Sequence, residues 1–104
     1  MLDTYFLRKY TLQMARVVVA RSVTRALRKM PGFVARKLAT WVTAVETSGL
    51  HVVQTYPGFN DEKLSGARQG QHSIRLNQAY RAFYTVSEDG EITVTVIEVN
   101  KHEY

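Results

Sequence analysis

Cysteine is absent from the 104 residues of this chain. A disulfide framework and a thiolate metal site are therefore excluded, and a reducing cytoplasm is the compartment such a composition fits. No apolar run approaches the ~20 residues that a membrane-spanning helix requires, so no membrane partner is expected. Residues 1–14 lack the continuous apolar stretch and the small-residue cleavage site of a secretory signal. They read as an N-terminal extension, with Met14 as a candidate true start, ahead of one domain over residues 15–104. Internal repeats and low-complexity tracts are missing too. The three histidines, His51, His72 and His102, lack helical HxxxH spacing and have no cysteine companions, so no metal and no other cofactor is expected.

Acidic residues are scarce in the first half. Residues 1–52 hold nine Lys and Arg against Asp3 and Glu46, a charge of +7, whereas residues 53–104 carry −2. Such a basic half attracts a polyanion over long range; a solvated helix face that aids solubility accounts for it equally well.

The periodicities divide the chain cleanly. Ala15 to Ala20 is short and β-branched and reads as a strand. Ser22 is placed to cap a first helix, with Val23, Leu27 and Met30 on one face and Arg25, Arg28 and Lys29 off it. Pro31-Gly32 breaks that run and opens a second helix from about Gly32 to Thr47, with Val34, Leu38, Trp41, Val42 and Val45 as its buried stripe and Gly49 beyond its end. Leu50 to Gly70 reads as a long loop. Three strands follow, His72–Asn77, Tyr80–Val86 and Ile92–Val99, with a Ser87-Glu88-Asp89-Gly90 turn before the last. Short connections make them antiparallel neighbours. The expected fold is α+β: an N-terminal strand, a helical hairpin, and a three-stranded antiparallel meander completing a small sheet.

Within that frame, Leu64-Ser65-Gly66, Gly70, Ser73-Ile74-Arg75-Leu76-Asn77 and Tyr80-Arg81-Ala82-Phe83-Tyr84 form a distinctive block. It resembles the central block of bacterial RelE-superfamily toxins of type II toxin–antitoxin systems, above all the HigB-like and RelE-like members. The resemblance covers residues 15–104 and is strongest over 62–86. It implies a microbial-ribonuclease-like fold, a metal-free endoribonuclease that cleaves mRNA on the translating ribosome, contact with 16S rRNA, and a cognate antitoxin that silences the toxin. A sister branch, ParE, shares the fold, poisons DNA gyrase and lacks the nuclease residues. A degenerate relative that binds an antitoxin without cutting is the remaining alternative.

Metal-free RNA cleavage uses the substrate's own 2′-hydroxyl as nucleophile. The site must supply a base for that hydroxyl, positive charge for the phosphorane-like transition state and an acid for the leaving 5′-oxygen. Guanidinium groups suit the phosphate, because their planar fork of donors stays charged at any relevant pH. The resemblance assigns these roles residue by residue. Arg81 holds the scissile phosphate and Arg75, one strand away, flanks it. Glu62, two residues before Leu64-Ser65-Gly66, is the general base. His102 protonates the leaving oxygen, and Tyr104 stacks on a base or orients the phosphate. Lys63, Arg68, His72 and Lys101 are the expected RNA contacts of the groove.

Overall fold

Ala15–Val19 form strand β1, buried at Ala15 and exposed at Arg16 and Val18, the alternation of a half-covered strand. The computed structural model describes residues 15–101; the extension 1–14 and residues 102–104, and with them His102 and Tyr104, lie outside the described residues. Helix α1, Arg21–Leu27, follows at once. Its N-cap is Ala20, not Ser22, and no side chain caps it. The reason lies in the sheet: the Ala20 N–H donates to the Val96 carbonyl at 3.0 Å, so strand bonding runs up to the point where the chain turns.

Helix α2 spans Gly32–Ser48, and Val34, Leu38, Trp41 and Val45 are its buried residues. Their spacing lays one apolar stripe along the helix. Gly49, at φ 88°, ends it, and a four-residue helix α3, Leu50–Val53, begins immediately. The segment expected as one long loop is thus built of short pieces. After α3 comes a 3-10 turn over Pro57–Phe59, then a two-residue strand β2, Glu62–Lys63, then a second 3-10 turn over Gly66–Arg68. Leu50, Val53 and Phe59 are buried and pin this stretch to the core.

Strands β3 (Gln71–Arg75), β4 (Tyr80–Asp89) and β5 (Glu91–Lys101) form the meander. β3 ends two residues sooner than the alternation indicates, because the Asn77 side-chain oxygen accepts from the N–H groups of Ala79 and Tyr80 and turns the chain. β4 and β5 run longer than expected, and the connection tightens to a hairpin at Gly90, φ 80°. The sheet has five strands in the order β1-β5-β4-β3-β2. β1 lies parallel to β5, and the other pairs are antiparallel. The strand missed from the sequence is β2, an edge strand too short to show a period.

The helices cover one face of the sheet. Trp41, Val34 and Val45 pack there with Ile74, Ala82, Tyr84, Val94 and Val96 in a single core. A β-bulge interrupts β5: Tyr84 faces Val96 while Phe83 faces Glu98, leaving Ile97 unpaired. The extra residue reverses the parity of β5. Val94 and Val96 point to the core before it and Val99 after it, and Glu98 and Asn100 turn to the open face.

Candidate functional site

Cross-strand partners share a face, so the register defines the open face as two adjacent rows. One row runs Glu62, Ser73, Phe83, Glu98. The next runs Arg75, Arg81, Asn100. Arg75 and Arg81 are therefore directly opposite one another, with Cβ atoms about 5 Å apart. Neither forms an ion pair with a described acid. Like charges facing each other across strands are destabilising, and an anion held between the two guanidinium groups removes that cost.

Glu62 reaches the same face from the sheet edge. It lies two strands across and two residues along from Arg81, a backbone separation of about 12 Å. Asn60, held at φ 45°, donates from Nδ2 to Glu62 Oε1 at 3.2 Å and so orients the carboxylate. Asp61, the residue before, points the other way, as alternation demands. It accepts a hydrogen bond from the Tyr84 hydroxyl at 2.5 Å, and its second oxygen lies 3.4 Å from His72 Nδ1. This buried tether anchors the base of a strand that has only two ladder partners.

Arg68 lies over the first row. Its Cζ sits 3.9 Å from the centre of the Phe83 ring. Nη1 donates to Gln71 at 2.8 Å and Nη2 to Glu98 at 2.9 Å. Glu98 in turn accepts from the Asn100 side chain.

The residues singled out in the sequence thus separate into two sets. Glu62, Arg75 and Arg81 share the open face, and Arg68 lies over Phe83 on it. Lys63 and His72 face each other on the helix side of β2 and β3, where His72 stacks on Tyr84 with ring centres 4.9 Å apart. Lys101 stands opposite Tyr80, also on the helix side. Glu98, Asn100 and Gln71 were not found by sequence reasoning. Straight alternation from Val94 and Val96 aims Glu98 into the core. A glutamate at a core position of a strand was the available sign of the bulge. Among the described residues no three His, Asp or Glu side chains converge as a metal ion would need.

No family model and no curated protein matches this chain. Solved structures do. A YoeB/ParE toxin from Agrobacterium tumefaciens superposes with a TM-score of 0.64 at 19% identity, over 85% of this chain and 99% of the other. An archaeal RelE-RelB complex from Pyrococcus horikoshii OT3 gives 0.65 at 21% identity, over 85% and 94%. The heterotetrameric YoeB-YefM toxin-antitoxin complex from Staphylococcus aureus gives 0.59 at 17% identity, over 86% and 98%. The agreement spans most of this chain and nearly the whole of each neighbour, and it establishes that this chain has the RelE-like fold.

Proposed function

We propose that this protein is the toxin of a toxin–antitoxin pair and a metal-free endoribonuclease that cleaves mRNA on the translating ribosome. The observation that carries the reading is the facing pair Arg75 and Arg81, two guanidinium groups without a described acid partner, with the Glu62 carboxylate on the same open face. In this mechanism the scissile phosphate binds between the two arginines. Glu62 takes the proton of the adjacent 2′-hydroxyl, and the freed oxygen attacks phosphorus. The bond to the 5′-oxygen breaks, leaving a cyclic phosphate on one fragment and a 5′-hydroxyl on the other. The arginines stabilise the added negative charge of the transition state, where fixed donors act most strongly. On the sequence resemblance, His102 protonates the departing oxygen and Tyr104 orients the RNA.

The exposed cations Arg16, Arg25, Arg28, Lys29 and Arg36 are suited to ribosomal RNA backbone. A cognate antitoxin is the expected protein partner, as in the RelE-RelB and YoeB-YefM complexes.

Primer extension on translated mRNA tests the proposal. Expression of the protein should produce new cuts and arrest growth, and Arg81→Ala should remove both, a loss of at least about 100-fold in cleavage for one oxyanion-stabilising donor. Undiminished toxicity of Arg81→Ala, or stabilised gyrase–DNA cleavage complexes in a supercoiling assay, overturns it.

A further inference from the structure

Arg68 differs from its two neighbours in one respect. Arg75 and Arg81 have no hydrogen bond or ion pair to a described residue, whereas both terminal nitrogens of Arg68 are engaged, one by Gln71 and one by Glu98. The Glu98 carboxylate also offsets its charge. A guanidinium so committed is a poor ligand for phosphate. What it retains is its flat surface, which accepts the face of a nucleobase as an aromatic ring does. Its Cζ lies 3.9 Å over the centre of the Phe83 ring, which is only 8% exposed and covers the Arg68 head from the sheet side. The Arg68 side chain keeps 37% of its area open, and with Phe83 below, the open part faces away from the sheet.

We propose that the outer plane of the Arg68 guanidinium is a nucleobase-stacking site. The proposal rests on the RNA-directed reading above and adds to it a subsite and its ligand class. Position supports it. Phe83, under Arg68, is two residues from Arg81 along β4 and on the same face, about 6.7 Å away. That is the span of a ribose, so a phosphate between Arg75 and Arg81 brings the base of the same nucleotide over Arg68. Gln71 and Glu98 hold the platform level, and the Asn100 side chain steadies Glu98 from beyond. Phe83 serves as the lower layer of the stack and Arg68 as the upper one.

The test measures binding to the full chain without cleavage. The probes are a 2′-deoxyadenosine trinucleotide and an abasic phosphate backbone of the same length and charge, each titrated calorimetrically. The unmodified protein should bind the base-bearing probe about tenfold more tightly. Arg68→Lys, which keeps the charge and loses the plane, should abolish that preference while binding the abasic probe as before. Arg81→Ala should weaken both probes alike. A base preference that survives in Arg68→Lys, or is absent from the unmodified protein while Arg81→Ala still weakens both, overturns the stacking site and leaves the nuclease reading standing. If neither probe responds to Arg81→Ala, both readings fall.

Discussion

Tyr84 shows how a single residue couples the core to the site. Its ring is fully buried, 5.1 Å from the ring of Trp41 and stacked on His72. Its hydroxyl donates to Asp61 and accepts from Gln54 Nε2 at 3.0 Å. Burial first, and then the hydrogen bond to the Asp61 carboxylate, raise its pKa far above the ordinary 10.0. The sign of the consequence follows. Above pH 10 the unfolded chain loses a proton that the folded protein keeps, so this residue's contribution is complete below pH 10 and declines as pH rises, by about 1.4 kcal/mol per pH unit. Tyr84→Phe should remove that alkaline slope. It should also cost about 1–3 kcal/mol at neutral pH, because the buried Asp61 carboxylate loses its donor. Urea unfolding at pH 8 and pH 11 measures both effects; an unmodified protein equally stable at the two values would contradict the account.

At the scale of elements, the decisive joint is Gly49. Helix α2 ends there with φ 88° and ψ 152°, and α3 starts at the next residue in a new direction. A side chain is strained in that conformation. Gly49→Ala should cost about 1–3 kcal/mol, read as a lower urea midpoint with unchanged slope. The sequence already showed that a helix must stop at this glycine, and the stripe through Val34, Leu38, Trp41 and Val45 identified the face that α2 buries. The meander was equally legible, since Ile74, Val94 and Val96 alternate as a half-covered sheet requires. The facing of Arg75 and Arg81 follows from two strands joined by a tight turn at Asn77. The bulge at Ile97 and the edge strand β2 were not legible. A bulge is a single inserted residue and changes no composition, and a strand of two residues has no period to detect. Those two features turn Glu98 and Asn100 outward and Glu62 onto the arginine face. The frame of the site was therefore readable from local pattern, while the facing of its acids depended on a one-residue bulge and a two-residue edge strand that local pattern does not reveal.

At the scale of the whole molecule, positive charge divides between two opposite sides. The open sheet face carries Arg75 and Arg81. The helix side carries Arg21, Arg25, Arg28 and Lys29 along α1 and its end, none paired with a described acid. A groove of about 450 Å³ runs there, lined by Arg21, Thr24, Arg25 and Arg28. Val23, on the inward side of α1, is buried in the core with Trp41, which keeps these cations directed at solvent. On the proposed function, an RNA strand would lie against the sheet while the helices rest on a larger polyanion. The two tasks are then separable by mutation. Arg25→Ala combined with Arg28→Ala should weaken association with ribosomes and lower the slope of log affinity against log salt by about 2, as expected when two phosphate contacts are lost. The same double variant should bind the trinucleotide as the unmodified protein does, because the proposed site for that ligand is on the far side of the sheet. Equal losses for both ligands would mean that one continuous surface binds them, and the division of labour between helices and sheet would be wrong.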